Sequence, residues 1–441
     1  SNGDALTAND FVYAWKRAID PETASEYGPY MMNGQIAGAE EITEAAANGK
    51  EYSLDSLGVE AADDTTLVVT TAKPMTVEFF KGLMAFGTFL PLNEKFVEEQ
   101  GDKYAATYEN ILYNGPFVMA DWNGSTDTEW VFKKNESYHD ADNVSLEKIT
   151  FNVSKDPQAT VNAFEAGEAD ITGKLGSDIL GQYEDDPRLQ TELSASVFYI
   201  KINSTQTKAL QNAKIRQAIS MAFNKEDAAT QVLANGSLSA NYLVPVDFVT
   251  DEEGKDFRDI NGDVVKYDLK EAQKLWKEGL AEEGIDSLEI GYLGGDTETS
   301  KKYDQYIVDQ LQTNHEGLTV NLESVPFSVR LDRDTKQQYD LQAAGWGPDY
   351  LDPISFLNMW VTDGGNNHTG YSNPKYDQLI TDSEKETDNA KRWEMLAEAE
   401  KLVLEEAAIA PLYQRADNLL VGENVEGLVT HVVGPEYSYQ W

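Results

Sequence analysis

From Gly345 to Trp360 the chain reads GWGPDYLDPISFLNMW, directly after the strand-like YDLQAAGW of residues 339–346. Two glycines flank a tryptophan, and Asp349 and Asp352 then stand beside Tyr350, Phe356 and Trp360. A glycine without Cβ leaves its backbone N–H and C=O unshielded, so a second extended chain can approach closely. Peptides are bound by β-addition at such an exposed strand end, with alternate guest side chains entering pockets. A carboxylate just past the strand end would suit a ligand ammonium group. The same residues also suit plain packing, with buried aromatics and a capping aspartate. Residue type and spacing leave both readings open.

Outward from this stretch the pattern is α/β. SLEIGYL (287–293) and LTVNLESV (318–325) read as strands, and KKYDQYIVDQLQTN (301–314) as a helix. Alternating units from about 285 to 346 predict a lobe with a partly parallel sheet. Upstream lie the strand SVFYIKIN (195–202), the amphipathic helix IRQAISMAF (215–223) and a helix from Lys270 to about Glu283. Downstream, helices are expected at 374–383 and 388–406, then strand-like IAPLYQRADNLLV and GLVTHVV. In the first third, a helix over 6–19 is capped by Thr7, and residues 55–80 are β-like with a turn at Asp63-Asp64. A helix containing Thr76, Phe79 and Phe80 follows Pro74. Strands follow the Asn114-Gly115-Pro116 turn and lie in EWVFKKN and KITFNVS; PQATVNAFEAGEADI reads as a helix running into a strand.

The chain has 441 residues, 35 Lys+Arg against 77 Asp+Glu, and a net charge of −42. So acidic a surface repels phosphate backbones and anionic lipid headgroups, which argues against nucleic-acid binding and polybasic membrane attachment. There is no cysteine, which excludes disulfides, thiol catalysis and cysteine metal sites. No apolar run approaches the roughly 20 residues of a membrane helix. His139, His315, His368 and His431 include no pair at helical metal-binding spacing, and each reads as a surface histidine. GEADITGKL (167–175) has five residues between its glycines where a phosphate loop has four, and Leu175 where Ser or Thr belongs. In DFRDINGDVVKYD (256–268), counting back from Gly262 puts Phe257 at the first calcium-ligand position, which leaves only a looser cation site open. No nucleophile elbow or zinc-protease motif is present.

Gly345–Leu357 resembles the GW-x-x-DY-x-DP-x-x-FL signature of the extracellular oligopeptide-binding proteins of ABC importers. TANDFVYAWKRAIDPETASEY (7–27), LGVEAADDTTLVV (57–69), PLNEKFVEEQGDKYA (91–105) and YNGPF (113–117) are similar to that family's blocks in order. So are NAKIRQAISMAFNK (212–225), YDLKEAQKLW (267–276), YSNPKYDQLI (371–380) and KRWEMLAEAEKLVLEEAAIAPLY (391–413). The set looks most like Gram-positive lipoprotein members. The resemblance implies an α/β, type II periplasmic-binding-protein-like fold, two lobes with mixed sheets joined by a hinge, plus an extra small subdomain. Residues 1–112 would form the accessory subdomain, 113–198 and 416–441 the first lobe, and 199–415 the second.

It further implies a non-enzymatic protein that captures extended oligopeptides between its lobes and delivers them to the permease subunits of an ABC transporter. Gly345, Trp346 and Gly347 match the family's contact strand, and Asp349 the aspartate that pairs with the peptide α-amino group. Phe327 and Leu331 align with pocket-lining positions, and Tyr413 and Arg415 fall near the returning hinge. No cofactor and no metal are implied. The expected form is a monomer on the cell surface, held to the membrane only through an N-terminal lipid anchor that would precede Ser1. Ser1-Asn2-Gly3-Asp4 resembles the middle of a family block, so the first strands of the first lobe are expected to lie upstream. The enterobacterial pair of arginines that holds the peptide carboxylate aligns with Asp334 and Ala343, with Arg330 and Arg333 nearby but off register. The alternatives are a peptide-pheromone receptor, or a same-fold binder of a dipeptide, a nickel chelate or an oligosaccharide; the missing His pair weakens the nickel version.

Overall fold

The computed structural model describes residues 2–25, 27–124, 126–154, 156–251 and 253–439. The chain divides into two compact units, residues 1–159 with 424–441, and residues 160–423. In the first, the helix Ala8–Ile19 opens on a capping box: the Thr7 N–H donates to the Asp10 carboxylate at 2.7 Å. Its buried face carries Ala14, Trp15 and Ile19, and the Trp15 ring meets Phe89 edge-on at 4.9 Å. Strands β1 (Val59–Asp63) and β2 (Thr66–Val69) form the expected hairpin. Thr76 caps the helix Val77–Met84 from outside, its hydroxyl accepting the Phe79 N–H at 3.1 Å. Strands β3 (Phe117–Asp121), β4 (Glu129–Lys134) and β5 (Lys148–Asn152) make an antiparallel meander. GLVTHVV contributes only the two-residue β12 (Val429–Thr430), paired with β13 (Tyr437–Ser438).

The second unit is built on a six-stranded mixed sheet. Its strands are β6 (Leu189–Ile202), β7 (Leu238–Ser239), β8 (Leu288–Gly295), β9 (Leu318–Val325), β10 (Leu341–Trp346) and β11 (Ile409–Leu420), in the order β7-β11-β6-β10-β8-β9. The residue 198/199 boundary expected between lobes falls inside β6. β8, β9 and β10 run parallel, whereas β10 and β11 are both antiparallel to β6. The helix Glu298–Asn314 carries the chain from β8 outward to β9, and the helix Phe327–Thr335 carries it back across β8 to β10. The strand order therefore reverses between β8 and β10, the kind of point at which open α/β sheets form a crevice beyond their strand ends.

The core of this unit gathers Ile200, Ile202, Ile219, Trp276, Ile290, Ile307 and Leu341. The strand expected at the end of PQATVNAFEAGEADI shrinks to one bridge, Ile171 to Val421. Two histidines are not on the surface. His315 is buried, stacked on Trp276 at 4.7 Å with Nε2 3.2 Å from the Ala218 carbonyl, and desolvation pushes its imidazole down to about 4. His368 is partly buried, with Nδ1 2.8 Å from Asp334. The polar appearance of each in sequence gave no hint of the ring or carboxylate that long-range folding sets beside it. In residues 256–268, Arg258 turns inward to a buried pair with Glu400, and the Asp256 carboxylate accepts the N–H groups of Asp247 and Arg258. Among the described residues no helix is long and apolar enough to cross a membrane.

Lys225 is the least conventional core residue: it is 2% exposed, and its Nζ has no hydrogen-bond partner. The Phe223 ring, 5.8 Å away, and the Asp263 charge offset part of its desolvation, which pushes the ammonium down to about 7. The unfolded chain holds the Lys225 proton to higher pH than the folded one. Stability therefore rises as pH climbs from about 7 toward the ordinary lysine range of about 10.4. Lys225→Met is expected to stabilise the protein at pH 7, by at most about 5 kcal/mol at 1.36 kcal/mol per pKa unit. Denaturant unfolding of both proteins at pH 7 and pH 10 should show the advantage shrinking at the higher pH; an equal advantage at both would contradict the assignment.

Candidate functional site

β10 pairs with β6 along its whole length, from Leu341 opposite Ile202 to Trp346 opposite Val197. It pairs with β8 only at Leu341–Tyr292 and Gln342–Leu293. β8 stays beside β9 as far as Gly295–Val325, so β8 and β10 part after Gln342. From Ala343 onward the β8-side edge of β10 has no strand partner among the described residues. The Ala343 carbonyl accepts a hydrogen bond from the Arg330 guanidinium at 3.0 Å, which shows that Ala343 turns its polar groups away from β6. Backbone direction alternates along a strand, so Gly345 turns its N–H and C=O to the same open side.

Gly345 and Gly347 are both exposed. A Cβ on Gly345 would lie 2.8 Å from the Phe198 ring, and one on Gly347 3.0 Å from Ser196 Oγ. Phe198 in turn stacks on Tyr413 at 4.7 Å, and Tyr303 meets Tyr413 edge-on at 5.0 Å. Glycine is thus needed because an aromatic ring from the neighbouring strand lies over that spot. Trp346 fixes the outgoing loop: its Nε1 donates to the Ser355 carbonyl at 2.8 Å.

The two aspartates of the segment have different surroundings. Asp352 is buried in a two-pronged pair with Arg392 at 2.6 and 2.7 Å, and its Oδ1 also accepts the Ile354 N–H. Asp349 is partly exposed, and its backbone N–H donates to Ser355 Oγ at 3.3 Å. Phe327 and Leu331 lie one turn apart on the helix Phe327–Thr335 and are 63% and 48% exposed. Between them Arg330 reaches Ala343, its guanidinium 5.3 Å from the Phe327 ring. Tyr413 joins the row Gly345–Phe198–Tyr413 across three strands, while Arg415 pairs with Asp417 at 2.7 Å.

Phe198, Tyr303 and Asp304 belong to the same region without having been singled out for it in the sequence, where Arg330 was noted only as near, and off register with, the family's arginine pair. Asp304 is buried beneath the β8 end, accepting the Tyr292 hydroxyl and the Gly295 N–H, each at 3.1 Å. Desolvation nevertheless pushes its carboxyl up to about 6. Asp334 is buried too, bonded to Lys201 at 2.8 and 3.0 Å and to His368 at 2.8 Å. The clue to Phe198 was its place in the alternation of SVFYIKIN; the contact of Arg330 with Ala343 becomes visible only once the helix is in place.

Gly345→Ala is expected to cost roughly 1–3 kcal/mol of unfolding free energy, the usual range for overpacking. In a Phe198→Leu background the cost should shrink, because the ring that meets the new methyl is gone. Equal costs in both backgrounds, measured by denaturant unfolding, would contradict the contact.

The profile of the bacterial extracellular solute-binding proteins, family 5 middle region, matches residues 1–368. The chain is 41% identical to the Listeria monocytogenes protein in a structure titled OppA bound to peptide, with TM-score 0.81, covering 100% of this chain and 84% of that one. A structure of the substrate-binding domain of an oligopeptide ABC transporter from Bacillus anthracis is 38% identical, with TM-score 0.82 and coverage of 100% and 84%. The dipeptide-binding protein of Lactococcus lactis subsp. cremoris is 33% identical over 99% of this chain and 80% of its own length. The α/β architecture with mixed sheets is shared with these structures, and the chain belongs to family 5 of the bacterial extracellular solute-binding proteins.

Proposed function

We propose that this protein captures oligopeptides in extended form and delivers them to the permease subunits of a membrane ABC transporter. The observation that carries the reading is the β10 edge left open from Ala343, with Gly345 turned toward it. A guest main chain adds to that edge as a further strand, and its backbone amides supply the affinity whatever its sequence. Asp349, just past the strand end, receives the guest α-amino group, while buried Asp352 holds the loop. Phe327 and Leu331 on one side, and Tyr413 and Arg415 on the other, line the spaces into which guest side chains project. Water fills what a small side chain leaves empty, so many sequences are accepted.

The protein acts without catalysis: the guest leaves as it came. It works as a single copy on the outer face of the cell membrane, tethered by an N-terminal lipid as in Gram-positive lipoproteins. The peptide in the Listeria OppA structure supports peptides over other solutes as the ligand class.

Mass spectrometry of ligand co-purified with the protein, followed by calorimetry with synthetic peptides, tests this. Bound peptide masses, and peptides recovered intact after incubation, are expected; cleaved peptides, or a sugar in their place, would overturn the reading. Asp349→Asn is expected to weaken peptide binding by roughly 1.5–3 kcal/mol, the range of a charge-assisted hydrogen bond. An unchanged affinity would remove Asp349 from the site.

A further inference from the structure

Four carboxylates are buried among the described residues: Asp304, Asp334, Asp352 and Glu400. Three of them lie in ion pairs, Asp334 with Lys201, Asp352 with Arg392 and Glu400 with Arg258. Asp304, 3% exposed, has no cation at ion-pair distance among the described residues; its hydrogen bonds come from two neutral donors, the Tyr292 hydroxyl and the Gly295 N–H. Tyr292 on β8, Tyr413 on β11 and Arg330 on the helix Phe327–Thr335 face it, with Tyr303 beside it on its own helix. Arg330 is the one cation of this set, and it donates to the Ala343 carbonyl. Desolvation outweighs these neighbours and pushes the Asp304 carboxyl up to about 6. The unfolded chain releases this proton at lower pH than the folded one, so the ionised carboxylate costs stability at neutral pH. Charges kept in a core at such a cost gather at functional sites.

The backbone group that Asp304 holds accounts for its place. β8 and β10 pair at Tyr292–Leu341 and Leu293–Gln342. The Gly291 N–H reaches Asp340, the residue before β10, at 2.8 Å, so Gly291 and, by alternation, Leu293 and Gly295 turn their backbone groups toward β10. Extending the parallel register sets Gly295 opposite Ala344, which makes the next ladder bond Gly295 N–H to Ala343 C=O, and the one after it Gly345 N–H to Gly295 C=O. Both groups of the first bond are taken: the N–H by Asp304 at 3.1 Å, the carbonyl by Arg330 at 3.0 Å. Gly294 and Gly295 leave this strand end free to bend, and a Cβ on Gly294 would collide with Asp304 Oδ2. Released from Asp304, β8 rejoins β10 and covers the Gly345 N–H that a guest strand needs.

We propose that Asp304 is a positioning residue for peptide capture: its ionised carboxylate holds Gly295 off β10 and keeps the edge open, and a proton on it lets the two strands rejoin. The inference rests on the peptide-binding reading above. A neutral carboxyl is the weaker acceptor, since charge-assisted bonds are roughly twice as strong, and one of its oxygens becomes a donor. Guest affinity therefore falls in acid, over the range in which Asp304 takes up its proton.

Calorimetry on the full chain with alanine peptides of two to eight residues, at pH 7 and pH 5, tests the proposal. Between these values a guest amine and ordinary carboxylates keep their charge, and His368 beside Asp334 is the other nearby group in titration range. Wild-type affinity is expected to fall about five- to tenfold at pH 5, as a carboxyl titrating near 6 requires. At pH 6, titrations in buffers of different ionisation enthalpy should show about half a proton released per peptide bound; no release, or uptake, would overturn the proposal without any variant. Asp304→Asn, neutral and nearly isosteric, should bind at pH 7 as weakly as the wild type at pH 5 and show no pH dependence. Denaturant unfolding should find that variant at least as stable as the wild type at pH 7; lower stability would make Asp304 a structural residue and sink the positioning role. His368→Gln should keep the wild-type fall. A fall that survives in Asp304→Asn, or vanishes in His368→Gln, would contradict the assignment. Tight wild-type binding at both pH values leaves the peptide reading standing and ends this inference. If no alanine peptide binds at either pH, both fail.

Discussion

After Gln342, β10 remains with β6 and β8 remains with β9, so the two strands cannot stay partners. The geometry of the site descends from that parting. It follows from topology: the chain steps outward from β8 to β9 through one helix and returns across β8 to β10 through another. Each strand is committed to the neighbour on its far side, and the twist of the sheet spreads the gap between them. An edge of this kind usually invites aggregation. Here it is short, it ends in glycines, and its first carbonyl is occupied by Arg330.

The surroundings of the edge are held rigidly by buried polar groups. Asp352 with Arg392 fixes the loop beyond the strand, and Asp334 with Lys201 and His368 fixes the helix before it. Asp304 ties the end of β8 to the helix Glu298–Asn314 through the Gly295 N–H and the Tyr292 hydroxyl. Buried ion pairs are poor sources of net stability, since desolvation offsets most of their attraction. Their role here is positional: each sets a loop or helix at one distance from β10. Against 77 acidic residues, the few that shape the surroundings of the edge are these internal ones. The remaining negative charge favours solubility and repels polyanions, and does not by itself select the ligand.

Most of the second unit was legible in the sequence because its elements are strongly periodic. The β8–helix–β9 succession was visible in the alternation of SLEIGYL and LTVNLESV and in the helical spacing between them, and β10 in YDLQAAGW, whereas the helix Phe327–Thr335 between β9 and β10 was not among the expected elements. The glycines of Gly345–Gly347 were legible as a place of close approach, but not for the full reason. Phe198 lies far away in sequence, and only the antiparallel register sets its ring over Gly345. Arg330 was seen in the sequence only as off register, for a similar cause: linear position sets it apart from Ala343, while the helix places its guanidinium on the Ala343 carbonyl. His315 looked like a surface residue because nothing local shows that Trp276 will stack on it. Segments with weak periodicity were the least legible, as in GLVTHVV, where only two residues pair.

The central claim is that a peptide adds to the open side of β10 through the Gly345 backbone. Residue-resolved amide hydrogen exchange, with and without a saturating peptide, tests it most directly. The N–H groups of Ala344 and Trp346 already face β6, whereas that of Gly345 faces the open side. The account predicts that peptide slows exchange at Gly345 strongly while Ala344 and Trp346 change little. Unchanged exchange at Gly345 under saturation, or equal slowing at all three positions, would contradict it.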